Sequence, residues 1–463
     1  MRCARLPTSA VAETGSVRRY HGATKHFPGR PSGSPYGLDW RNEPNLFKRY
    51  PGIAPEPAPE DLGRLLRLGA GVHPRRGDAH FRTYMSAGAL HPVELYVAMG
   101  SGLFHYHPGE GTLYRLRRED PRAALAVAAA EPAISGAAFM LLFTGILWRT
   151  AWKYGARGWR HLFWDAGAML ANLLAIANDA APGLLTAFID GEVARALGVE
   201  PPRETPVALL AVGRGEKASA QERLKPLRHE VAPLSAREHR FPEAEEAEAA
   251  SSLAGVEDVR VWREAARRCR DGTGGGEPPE SLEKVILRRG SARGFTPDPI
   301  GEEELGAPLV WACSPVLGDL PPICSTFVVA HAVEGLEPGV YRFEPPDGFE
   351  PVRKGADRRL TAHVCLDQPH GGEAAATVFF TADLDRALHA LGERGYRAAQ
   401  LEAGIRAGRA SLGAYGRGLG ATGLTFYDDQ VRRFLGTEEE PMMCLAIGVD
   451  ARRRGLRKLG RAA

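Results

Sequence analysis

The chain has no Cys-x-x-Cys pair and no Cys/His cluster at zinc spacing, which excludes a structural zinc module and a thioredoxin-type dithiol. Its six cysteines, at 3, 269, 313, 324, 365 and 444, are scattered and read as free thiols of a reducing cytoplasm. It also lacks an apolar run long enough to span a bilayer. The longest, "AAFMLLFTGILW" (137–148), reads as a buried strand. The N-terminal "MRCARLPTSAVAETGSVRRY" has no signal-peptide core, so a soluble, cytoplasmic protein without a membrane partner is expected. Charge of one sign is missing too. Lys+Arg is 59 and Asp+Glu is 56, a net charge of +3, which argues against nucleic acid as the main partner. The basic C-terminal "ARRRGLRKLGR" reads as a solvated tail.

Familiar catalytic strings are absent as well. There is no His-Glu-x-x-His and no evident Ser-His-Asp pattern. The histidines are dispersed, and "HYH" (105–107) falls in a hairpin where a surface position is expected. "GLGATG" (418–423) fits Gly-x-Gly-x-x-Gly as a string, but it follows a helix instead of opening one. It reads as a helix C-terminus, not a dinucleotide loop.

What is present is a repeat. "WKYGARGWR" (152–160) is echoed by "HALGERGYR" (389–397), with the frame Gly-x-Arg-Gly-aromatic-Arg kept and Lys153-Tyr154 found in the first copy alone. The echo extends: residues 140–213 overlay 378–449 as strand, long helix, loop, short amphipathic helix and closing strand, and 86–116 overlays 314–343. The expectation is an α+β chain of two like units, a fused homodimer. We expect an N-terminal extension over the first domain (1–60), a first domain (61–215), a charged linker with a helix at "FPEAEEAEAASSL" (216–280), and a second domain (281–463). "DGTGGGEPPE" (271–280) reads as a flexible joint, since no Lys-Ser/Thr follows its glycines.

Three constellations carry chemistry. In "LRRGSARGFTPDPI" (287–300), Arg289, Ser291 and Arg293 alternate, which puts them on one side of an extended segment. Two guanidiniums and a hydroxyl there suit a phosphate dianion. From spacing alone a solvated basic turn explains them as well. In "MSAGALHP" (85–92), Ser86, Ala87 and Gly88 let the backbone approach a flat ligand closely, although an ordinary turn has the same composition. Lys153 and Tyr154 are a base and an acid if burial or a neighbouring charge tunes them; a solvated lysine beside a core aromatic is the plain alternative.

Together these segments resemble a known family. "RRGSARGFTPDPI" resembles the opening of the nitroreductase superfamily of FMN enzymes. "SAGALHPVELYV", "KYGARGWRHLFWDAGAMLANLL" and "ERGYRAAQLEAG…FYDDQVRRFLG" look like its SagB/ThcOx-type branch, which includes dehydrogenases that oxidise azolines to azoles in peptide natural products. "YHGATKHF" (20–27) and "LDWRNEPNLFKRYPG" (38–52) resemble that branch's leader.

The resemblance implies two tandem nitroreductase-like domains forming an intramolecular pseudo-dimer with FMN between them, which leaves the chain able to act as a monomer. It implies that Arg289, Ser291 and Arg293 grip the phosphate, and that Ser86, Ala87 and Gly88 line the flavin. Gly423, Leu424 and Thr425 then lie near the redox edge, Gln368 supplies an amide, and Lys153 and Tyr154 form the acid/base dyad. The first copy has no Arg-x-Ser-x-Arg, and the second reads "CSPVLGDLPPIC" where the small-residue loop should be. One complete site per chain is therefore expected. The activities that follow are oxidation of a heterocyclic or peptide-derived substrate or, alternatively, NAD(P)H-dependent reduction of nitro compounds or quinones. A flavin-less scaffold in a peptide-modifying complex is the reading from another class.

Overall fold

A computed structural model describes residues 15–29, 33–73, 81–219, 224–269 and 275–453. Cys3, the glycines of the joint at 271–274 and most of the basic tail lie outside them. The architecture is α+β, with two antiparallel sheets in tandem. The first contains β1 (Pro55–Glu56), β2 (Val93–Met99), β3 (Gly102–His107), β4 (Thr112–Arg117), β5 (Phe139–Ile146), β6 (Gly183–Leu185) and β7 (Glu204–Val212), in the order β1-β4-β3-β2-β5-β7-β6. A short parallel pair joins β8 (Ile300–Gly301) to β10 (Val333–Glu334). The second sheet contains β9 (Cys324–Ala330), β11 (Gly339–Glu344), β12 (Gly348–Lys354), β13 (Ala376–Ala382), β14 (Gly420–Leu424) and β15 (Glu440–Gly448), in the order β12-β11-β9-β13-β15-β14.

Alternation along the central strands sorts their side chains. Leu141 and Phe143 of β5, with Val378 and Phe380 of β13, enter one core that runs through both halves. Met140 and Leu142 face a separate core behind the first sheet, and Phe379 and Cys444 face another behind the second. Both faces of each sheet are covered, which is why these strands read as unbroken apolar runs.

Between the sheets lie the two long helices, Gly158–Ile176 and Arg394–Gly416. They cross at glycines. A Cβ on Gly404 would lie 2.7 Å from the Trp164 carbonyl oxygen, and one on Gly167 would lie 2.6 Å from the Gly404 backbone. Small residues at this crossing let the backbones touch.

The echoed phrase forms the joint beside that crossing. Arg157 and Arg160 donate to Asp428 of the second half, while Arg394 and Arg397 donate to Asp190 of the first. Each aspartate opens the short amphipathic helix, Asp190–Leu197 or Asp428–Leu435, of the opposite half. The contact is reciprocal, as in an isologous dimer interface.

Two expectations need correction. The N-terminal extension is not confined to the first half. Its helix, Ser16–Ala23, is followed by Lys25, which reaches Asp429 at 2.7 Å and Glu440 at 2.8 Å in the second. And "HYH" is not at the surface: His105 and His107 are 0% and 1% exposed. Residues 38–52 cover the hairpin, with Phe47 stacked on His107 and Tyr50 beside His105. Lys48 anchors this cover by donating to Glu204 at 2.6 Å and to Tyr96 at 2.7 Å.

The linker forms the helices Pro242–Ala250 and Val256–Arg268. Among the described residues, no helix is long and apolar enough to cross a membrane, no acid, His and Cys cluster could hold a metal, and the five cysteines form no disulfide.

Candidate functional site

A cavity of about 780 Å³ opens between the halves, within the range of small-molecule and cofactor sites. All twelve residues singled out in the sequence line it. Ser86, Ala87, Gly88, Lys153 and Tyr154 come from the first half, and Arg289, Ser291, Arg293, Gln368, Gly423, Leu424 and Thr425 from the second.

The grip segment follows the helix Leu282–Arg288 in extended conformation. It is held against the edge of β14 by a bridge between Ser291 and Ala421 and by the Ala292 amide donating to the Ala421 carbonyl at 3.0 Å. Arg289 is 7% exposed. It donates to the carbonyls of Thr83 and Arg82, both at 3.2 Å and both in the first half. No carboxylate pairs with it among the described residues, and burial pulls its guanidinium down to about 10. The cavity wall carries six cationic side chains, Arg82, Lys153, Arg288, Arg289, Arg293 and Arg452, against two acidic ones, Asp165 and Asp450. A phosphate dianion fits such a wall through charge-assisted hydrogen bonds.

The small-residue loop is pinned from the central helix. Asp165 accepts from the Ser86 hydroxyl and from the Ala87 amide at 3.2 Å, and the Ser86 oxygen accepts from the His91 amide at 2.9 Å. Gly88, with φ +63°, turns the loop toward the end of the helix Leu147–Tyr154. A Cβ there would lie 2.7 Å from the Tyr154 hydroxyl and 3.2 Å from Lys153 Nζ. Only glycine leaves room for both groups. The Tyr154 ring stacks on His161 with centroids 4.3 Å apart, and His161 packs on Trp164 at 4.6 Å. Trp164 donates to Gln400 of the second half at 2.6 Å, so the ring pile is anchored across the joint. Burial, and then the nearby Asp165, push the Tyr154 phenol well above its ordinary value. Burial holds the His161 imidazole well below its own. Across the cavity, Gln368 is oriented by donating to the carbonyls of Cys365 at 2.8 Å and Thr425 at 3.2 Å.

His161, Trp164 and Asp165 also line the cavity and were not singled out. Asp165 left a signal: it is the sole acid in "GWRHLFWDAGAMLANLLAI", a helix apolar all round. His161 and Trp164 left none, because core aromatics look the same.

The corresponding region of the other half is closed. Alignment on Asp190 and Asp428 matches Thr186-Ala187 with Leu424-Thr425. Here the first copy has no grip segment to cover the edge of β6, and residues 317–319 of the second half take its place. The Leu184 amide donates to the Leu317 carbonyl at 2.8 Å, and the Asp319 amide donates to the Leu184 carbonyl at 2.9 Å. Asp319 caps Thr186 at 2.6 Å and Ala187 at 3.2 Å, and accepts from Arg263 of the linker helix at 3.2 Å. What remains nearby is a cavity of about 130 Å³.

A profile of the nitroreductase family matches residues 54–214 and 286–449. A protein of Methanocaldococcus jannaschii that carries a nitroreductase name is 31% identical over 163 residues, which is 33% of this chain and 79% of that one. A crystal structure of an Anabaena variabilis protein, likewise named as a nitroreductase, is 24% identical and superposes with a TM-score of 0.74 over 94% of this chain and 99% of its own, a likeness of fold. Two matched segments spanning well over half of its length place the chain in the nitroreductase family, as an oxidoreductase of that superfamily.

Proposed function

We propose that this oxidoreductase binds one FMN per chain in the large cavity and oxidises a heterocyclic or peptide-derived substrate, as the SagB/ThcOx-type azoline dehydrogenases do. The observation that carries this reading is the composition of the cavity. An unneutralised Arg289 comes from one half and the Lys153-Tyr154 pair from the other, while the equivalent position across the joint is zipped shut. Arg289, Ser291 and Arg293 hold the phosphate. Ser86, Ala87 and Gly88 form one wall, with Gly423, Leu424, Thr425 and the fixed Gln368 amide opposite. Bound FMN supplies a two-electron acceptor. The chain supplies proton handling: Lys153 takes the proton from the carbon beside nitrogen, and Tyr154, kept protonated, donates a hydrogen bond to the substrate. Gly88 leaves both groups clear access to the same point.

Family membership favours a second reading, NAD(P)H-dependent reduction of nitro compounds or quinones. Electron flow separates the two. Under anaerobic conditions, a thiazoline-containing peptide bleaches the flavin spectrum on the first reading, and NADPH does so rapidly on the second. Flavin released and counted per chain is the prior test. One FMN, lost in R289A/R293A, supports the composite site. Two FMN per chain overturn it. No flavin after adding excess FMN points to a scaffold in a peptide-modifying complex. Lys153→Ala with FMN retained abolishes substrate oxidation on the first reading, and normal turnover of that variant refutes the dyad.

A further inference from the structure

The two long helices carry a carboxylate at the same place, seven residues after the glycine that aligns them. It is Asp165 after Gly158 and Glu402 after Gly395. Each accepts from the segment that leads into a central strand. Glu402 takes the Ile323 amide at 2.6 Å and the Cys324 amide at 2.8 Å; Asp165 takes the Ala87 amide at 3.2 Å and the Ser86 hydroxyl. Their charge environments differ. Glu402 is paired with Arg406, one turn on, at 2.6 Å. The residue one turn beyond Asp165 is Met169, and no cation pairs with Asp165 among the described residues. Asp165 is nonetheless 2% exposed. A buried carboxylate without a counter-charge is costly. The half with the closed site has relieved that cost, and the half with the open cavity has kept it.

We infer that Asp165 is a positioning residue of the open site, holding the Ser86–Gly88 loop and, through Gly88, the seat of Lys153 Nζ and the Tyr154 hydroxyl. The inference rests on reading Lys153 and Tyr154 as the proton-handling pair. A carboxylate accepts from the Ala87 amide and the Ser86 hydroxyl together, and a protonated carboxyl gives up acceptor capacity at one oxygen. The ionisable groups that interact with Asp165 are Tyr84 from the preceding loop and Tyr154 from the helix end; Lys153 and His161 share its cavity. Burial holds both phenols up, and the Asp165 charge adds to it. Burial lifts the Asp165 carboxyl to about 7, against the opposing hydrogen bonds from Ser86 and Ala87, so the loop's anchor changes state near neutrality.

The test compares wild type, Asp165→Asn and Asp165→Glu. In the flavin-free protein, the Ala87 and Gly88 amide resonances are followed by NMR against pH. They move with a midpoint near 7 in wild type and stay still in D165N. With FMN bound, flavin reduction by a thiazoline-containing peptide is measured across pH. D165N keeps one FMN, slows reduction by about 10²-fold, the cost of a misplaced reacting group, and loses the acid limb near pH 7; D165E restores the limb. Amides that do not titrate, or D165N with wild-type rate and pH profile, overturn the inference. Lys153→Ala is run in parallel. Full turnover by K153A removes the dyad and the inference with it. An inactive K153A beside an unaltered D165N removes the inference alone.

Discussion

Arg160 donates to Asp428 at 2.9 Å across the joint, and both side chains are fully buried. Arg397 makes the same contact with Asp190 at the same distance in the opposite sense. The echoed phrase is thus written twice because each copy clasps the other. Its arginines are interface, and Lys153-Tyr154, found in one copy, lies outside the clasp.

Removing Asp428 leaves the buried Arg157 and Arg160 without a counter-charge, and removing Asp190 does the same to Arg394, while Arg397 keeps Glu248 at 3.1 Å. Asp428→Ala and Asp190→Ala should each cost about 3–5 kcal/mol in chemical denaturation. A loss below about 1 kcal/mol in either would mean that the clasp does not hold the halves together.

The helix crossing tolerates no added atoms. Gly404→Ala places a Cβ 2.7 Å from the Trp164 carbonyl oxygen and Gly167→Ala one 2.6 Å from the Gly404 backbone, so each should destabilise by about 1–3 kcal/mol. Gly183→Ala, which meets nothing within 4 Å, is the control and should be close to neutral in the same thermal melts.

Gly88→Ala separates site from scaffold. The loop is at the surface and its glycine has φ +63°, so the strain should cost about 1 kcal/mol. The new methyl group displaces the Tyr154 hydroxyl and Lys153. Substrate oxidation should fall by at least tenfold while the melting temperature shifts by only a few degrees. Unchanged turnover would detach the loop from the pair.

Asp165 makes stability depend on pH. Its folded value, about 7, lies above the ordinary 3.8, so the folded state holds a proton that the unfolded state releases. That contribution is complete below about pH 4 and is lost as pH rises through 7. The difference is on the order of 4 kcal/mol at most. Asp165→Asn should therefore be more stable than wild type at pH 8 and differ little at pH 4, as read from urea midpoints. Greater stability with slower chemistry marks a group kept for function.

Much of the cavity lining was legible because its parts are local. Arg289, Ser291 and Arg293 alternate within five residues, and "SAG" names its own backbone freedom. The repeat was legible by self-comparison. The clasp was not: Asp428 is 268 positions from Arg160, and nothing along the chain ties them. "HYH" misled because its cover, Phe47 and Tyr50, arrives from an extension whose destination the sequence does not specify. Asp165 could have been seen as one acid in an apolar helix. That it lacks the cation Glu402 enjoys becomes visible only when the two helices are laid side by side in space.

The zipper between Leu184 and residues 317–319 gives the molecule a front and a back. A symmetric dimer presents two equivalent doors, and whatever docks on it meets one of them from either side. Here one door is walled up. A surface or neighbouring protein that holds the chain by the walled face leaves the open cavity to solvent, and one that holds it by the other face shuts it. On the proposed single-site reading, the fused pair has a direction and can be mounted.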